Sequence, residues 1–125
     1  MKTEEKKIFA EVISMYGTDE QMRVAQEECA ELIQAISKYH RAQMSTDSRN
    51  KKHLVDRSTN NLIEELADVS IMVDQLKLIV KGNHTEVRAA KVKRISDRLN
   101  KDAIGPKKPK KAKKSAKPAK EEETK

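Results

Sequence analysis

Residues 27–36, EECAELIQAI, and residues 64–73, EELADVSIMV, repeat one pattern at an offset of 37 positions. In each, two carboxylates open the segment, a third follows, and apolar residues fill much of the rest. At about 100° per residue this spacing writes an amphipathic helix with an acidic edge. Two long helices of this kind, rich in Leu, Ile, Val, Met and Ala, point to an all-α fold. The three aromatics, Phe9, Tyr16 and Tyr39, and the scarcity of glycine and proline favour a helical bundle over a sandwich or barrel.

The remaining apolar periods complete four helices. Ile8, Phe9, Val12 and Ile13 predict a helix over 3–16, stopped by Gly17. Thr18 and Gln21 have the spacing of a capping box, opening a second helix from Asp19 to Ala42. Residues 43–60 are polar and lack a sustained period, so they read as a long connection with at most a turn of helix near Leu54. Caps among Ser58 to Asn61 then start a third helix over 62–80, ended by Gly82 and Asn83. Thr85 caps a fourth helix carrying Val87, Val92, Ile95 and Leu99. The expected architecture is a four-helix bundle-type protomer over residues 1–104, whose thin core calls for an oligomer or a ligand.

Charge separates the tail from this domain. Of the chain's 27 basic and 20 acidic residues, positions 105–125 hold nine lysines and three glutamates, which leaves the helical part nearly neutral. The tail has no aromatic or branched aliphatic residue, so disorder is expected. It reads first as a solubilising extension and second as a loose attachment to nucleic acid or another anionic partner. A single cysteine, Cys29, falls in the second helix's apolar stripe, which predicts a buried thiol and no intrachain disulfide. With no apolar run long enough to span a bilayer and no signal-peptide h-region, the expected compartment is the cytosol.

The direction of each acid follows from its number. With Ala25 as zero, Cys29, Leu32 and Ile36 fall within about 40° on one stripe, with Ile33 on its shoulder. Glu28 then lies about 60° to one side, Glu31 about 120° to the same side, and Glu27 nearly opposite the core. With Leu62 as zero, the stripe is Leu62, Leu66, Val69, Val73, Leu76 and Val80, and Glu65 and Asp68 repeat those two angles, while Glu64 points away. If the helices pack antiparallel, Glu28, Glu31, Glu65 and Asp68 share one cleft. Four carboxylates beside an apolar core repel one another and lose hydration, and a hard divalent cation is the simple remedy. A single Glu-rich helix edge is commonly a solvated flank. Two copies at matching angles favour a metal site. A di-iron centre would need Glu-x-x-His pairs, and Ser37, Asn50 and Lys81 precede the three histidines instead. Lys91, Arg94 and Arg98 form a basic edge on the fourth helix, suited to phosphate oxygens or to an ordinary solvated surface near a helix C-terminus.

The pair Glu27-Glu28-x-x-Glu31 and Glu65-x-x-Asp68 resembles the EExxE…ExxD signature of the MazG-like all-α nucleoside triphosphate pyrophosphohydrolases. YGTDEQ at 16–21, EECAELIQAISKYHR at 27–41, NLIEELADVSIMVDQL at 61–76 and KVKRISDRL at 91–99 are similar in order and wording to small phage- or prophage-type members. The resemblance covers roughly residues 8–100. It implies a dimer or tetramer that uses magnesium, or manganese, to split a nucleoside triphosphate into the monophosphate and pyrophosphate. Glu28, Glu31, Glu65 and Asp68 fall on the family's metal ligands, Lys91 and Arg94 on basic positions near the phosphates. Glu27 or Glu31 is left to orient the attacking water and take its proton. The 33 residues between Glu31 and Glu65 exceed the usual spacing of the signature, so no base-contacting residue is carried across that loop. Related readings are a pyrophosphatase for dUTP, dCTP or phosphoribosyl-ATP, and a non-catalytic helical oligomer whose basic tail binds nucleic acid or protein.

Overall fold

A computed structural model describes residues 1–103; the expected tail, residues 105–125, lies outside them. Among the described residues there are four helices, in the order α1 (Thr3–Tyr16), α2 (Thr18–Met44), α3 (Lys51–Ile79) and α4 (His84–Ala103), and no strand. None of these helices is long and apolar enough to cross a membrane. The chain divides into two compact units, the first spanning Met1–His84 and the second beginning at Thr85.

Gly17 alone separates α1 from α2. Its φ of 90° is a backbone setting that side chains resist, and its N–H donates to the Ile13 carbonyl at 2.9 Å, closing α1. The expected capping box does not form. With Gly17 at the cap, α2 starts at Thr18 with no side-chain cap bond, and Gln21 goes into the interior.

The largest departure from the sequence reading is the connection after α2. Only residues 45–50 are non-helical, because α3 begins at Lys51, eleven residues before Leu62. Asp47 makes so short a turn possible. Its carboxylate accepts from the Arg49 backbone N–H at 3.1 Å and from the Asn50 side chain at 3.2 Å, and its carbonyl accepts from the Lys51 N–H at 2.9 Å. Ser58 and Thr59, expected as caps, sit inside the helix, and both hydroxyls donate to the Val55 carbonyl, at 3.0 and 2.7 Å. That back-bonding occupies donors that would otherwise compete with helical structure. At the other end α3 stops at Ile79, before the expected Gly82.

So short a turn folds α2 and α3 into an antiparallel hairpin. Glu28 meets Glu65, while Ala42 shares a cavity near the turn with Leu54, so positions fall on α2 as they rise on α3. The covered positions advance in steps of four and three: Gln21, Ala25, Glu28, Leu32 and Ala35 on α2, and Val55, Ser58, Leu62, Glu65, Val69 and Met72 on α3. This register sets Ala35 across from Ser58 and Gln21 across from Met72, and all four are buried. Alanines at 25, 35 and 42 supply most of the buried apolar residues and allow close approach of the two backbones. α1 lies against both helices.

The seam is rotated by about 50° from the expected stripes, toward the acids. Cys29 is exposed rather than buried, and Ile33, Ile36, Leu66, Val73 and Val80 are exposed too. A stripe centred on the bulkiest residues would have kept Glu28 and Glu65 at its margin. The alanine seam takes both into the interface. In an antiparallel pair the same rotation brings the excluded apolar residues onto one face of the hairpin, and Glu31 and Asp68 onto the other. α4 carries its apolar residues Val87, Val92, Ile95 and Leu99 in exposed positions.

Ala35 is 1% exposed, so Ala35→Leu forces the hairpin apart and lowers stability by about 1–3 kcal/mol in urea unfolding. Cys29→Ser, expected to be damaging if the thiol were buried, changes stability by less than about 0.5 kcal/mol.

Candidate metal centre

Three of the expected ligands converge. One carboxylate oxygen from each of Glu28, Glu31 and Glu65 can be chosen so that all three lie within 4.8 Å of one another. Glu28 and Glu65 come from facing seam positions and are partly buried, and Glu31 is exposed one turn along α2. Asp68 is not a member of this trio, yet its charge acts on Glu28 more strongly than that of any other carboxylate. Glu27 is exposed and has the weakest influence on Glu28 of the four neighbouring acids. The angles read from the sequence therefore separate these acids in the right order.

Electrostatics mark Glu28 as the strained member. Its pKa is raised above the ordinary 4.5, first by desolvation at the interface and then by the charges of Asp68, Glu31, Glu65 and Glu27. Glu65 is held differently. Its Oε1 accepts from the Asn61 Nδ2 at 3.0 Å, whereas its Oε2 is buried and has no hydrogen-bond partner. A buried carboxylate oxygen without a donor is costly and is satisfied by a proton, a water or a cation. Within the first unit no lysine or arginine is ion-paired to the cluster, since the described ion pairs there join Arg23 to Glu20, Lys52 to Asp56 and Lys77 to Asp74.

All-oxygen donors at this spacing suit a hard cation such as magnesium, manganese or calcium. The donor set thus fits the ion expected from the sequence. Lys91 and Arg94, the expected phosphate contacts, are exposed on α4 in the second unit. Asn61 escaped the sequence reading because it was read as a candidate helix cap. Its position four residues before Glu65 is the signal that could have found it, once the helix is extended backward.

Against models of protein families, curated proteins and solved structures, the chain has no match. The functional reading therefore rests on the residues and their geometry.

The raised pKa of Glu28 sets the sign of a pH effect. A carboxyl that binds its proton more tightly when folded than when unfolded favours folding at low pH, and this contribution is lost as pH rises from about 4.5 through the folded value. Without divalent cations, wild type and Glu28→Gln should therefore be close in stability near pH 4.5, with the variant gaining over wild type toward pH 7. Chemical unfolding across that range reads the divergence, and parallel profiles would contradict it.

Proposed function

We propose that the chain is a magnesium-dependent nucleoside triphosphate pyrophosphohydrolase. The observation that carries this reading is the convergence of Glu28, Glu31 and Glu65, with Asp68 beside them, at the seam of an antiparallel hairpin. It is joined by the resemblance of the two acidic segments to the MazG-like signature. Glu28, Glu31, Glu65 and Asp68 would hold the cation. When bound, a magnesium or manganese ion supplies positive charge against the phosphate oxygens and acidifies water.

The protein's own groups do the rest. Glu31 or Glu27, the two more exposed acids of the first segment, takes the proton of the attacking water. The water oxygen forms a bond to the α-phosphorus as the bond from that phosphorus to the bridging oxygen breaks, and pyrophosphate leaves. The resemblance assigns Lys91 and Arg94, on α4 in the second unit, to the phosphates, as point charge and fork. Among the described residues no serine or cysteine side chain is hydrogen-bonded to a base, which leaves direct attack by water as the simpler route.

The same reading includes self-association as a dimer or tetramer. Its support is the apolar face of the hairpin, where Ile33, Ile36, Leu66 and Val73 are exposed together. Sedimentation of the full chain should show a species larger than a monomer, and Ile33→Glu combined with Leu66→Glu should dissociate it. A wild-type monomer at every concentration would contradict this part.

Activity is tested with magnesium or manganese and pyrophosphate detection, against the ribo- and deoxyribonucleoside triphosphates and phosphoribosyl-ATP. At least one substrate should turn over, and Glu28→Ala or Asp68→Ala should each lower kcat/KM by more than about 100-fold. Undiminished hydrolysis by both variants would overturn the metal assignment. No turnover of any substrate would favour the non-catalytic oligomer.

A further inference from the structure

Toward the turn, the hairpin opens into a cavity of about 690 Å³ between the last turns of α2 and the first turns of α3. Met44 and Leu54 supply apolar wall, while Lys38, Arg41 and Arg57 supply three cations, and no carboxylate lines it. Among the described residues none of these three cations forms an ion pair. Three like charges around one cavity repel one another, and an anion relieves that repulsion.

Through Asn61 the cavity borders one acid of the centre, Glu65. Asn61 lines it and donates to Glu65, and a neighbouring cavity of about 530 Å³ shares Arg57 and Asn61 and extends to Glu64 and Glu65. Lys38 follows Glu31 by seven residues and Arg57 precedes Asp68 by eleven, both near-whole numbers of turns, so these cations continue the acidic face of the hairpin. Arg57 stands eight residues from Glu65, about 12 Å along the helix. The arginine side chain reaches back over part of that distance, which brings its guanidinium to a phosphate carried on the ribose of a nucleotide whose α-phosphorus lies at the acids.

We propose that this groove is the far end of the substrate site and takes a nucleotide bearing a second phosphate group beyond its 5′ chain, met by Lys38, Arg41 and Arg57. This rests on the nucleotide reading of the acidic centre and adds the substrate class. The triphosphate end lies at the acids, the nucleoside spans Asn61 and the apolar wall, and the additional phosphate reaches the cations. Guanidinium forks supply charge-assisted bonds to phosphate oxygens that an uncharged sugar hydroxyl cannot replace.

The test is calorimetric binding of nucleoside 3′,5′-bisphosphates, for adenosine, guanosine, cytidine and uridine, against the matching 5′-monophosphates. It uses the full chain and Glu28→Ala, without divalent cations. At least one bisphosphate should bind about tenfold more tightly than its monophosphate, with the preference shrinking as salt rises. Lys38→Ala combined with Arg57→Ala should abolish the preference, and Glu28→Ala should retain it. Both cations are exposed, so the double variant should fold, and helical circular dichroism checks this. Equal affinities for all four pairs, or a preference unchanged in the folded double variant, would overturn the proposal even if triphosphate hydrolysis is found. A preference that survives while no triphosphate is hydrolysed would support the anion groove and remove only the catalytic reading.

Discussion

Glu28 facing Glu65 across a helical seam is the contact on which the rest of the structure turns. Seam positions in a helical hairpin ordinarily go to apolar side chains, since burial there supplies most of the stability. Here two are given to like charges. The cost shows in the raised pKa of Glu28 and in the unpartnered Oε2 of Glu65. Alanines above and below keep the helices close enough for these carboxylates to meet. Such a hairpin is weaker as an isolated element than one with apolar residues at those two positions; under the proposed function a bound cation offsets that cost.

The rotation that admits the acids also sorts the surface. Large aliphatic side chains that could have formed the seam are displaced to one face of the hairpin. The opposite face carries Glu31 and Asp68 and, about two to three turns toward the turn residues, Lys38 and Arg57. One helical pair thus separates an apolar face from a face on which negative charge gives way to positive. Under the proposed function the first face serves association and the second lies along the substrate.

Helix class and the approach of Glu28, Glu31 and Glu65 to one another were legible in the sequence because both follow from local spacing. Period 3.6 reveals an amphipathic segment wherever it recurs, and relative angles along one helix are set by residue number alone. The seam was not legible. Choosing it by bulk pointed to Cys29, Ile36 and Leu66, whereas the fold chose small residues that let two backbones approach. The first turns of α3 were hidden for another reason. Ser58, Thr59, Asn60 and Asn61 look like helix-breaking or capping residues, and only the Val55 carbonyl, accepting two hydroxyls, shows how the helix runs through them. Missing that extension also concealed Arg57 and Asn61.

The central claim is that the seam carboxylates exist to hold a divalent cation. Its most direct test is the thermal midpoint of the full chain at pH 7, titrated with magnesium and with manganese, for wild type and Glu28→Gln. Binding to the folded state alone stabilises by about 2.7 kcal/mol at a hundredfold excess over Kd. The wild-type midpoint should therefore climb with cation concentration, while that of Glu28→Gln should stay nearly flat. A wild-type midpoint indifferent to both cations, or an equal climb in the variant, would contradict the account.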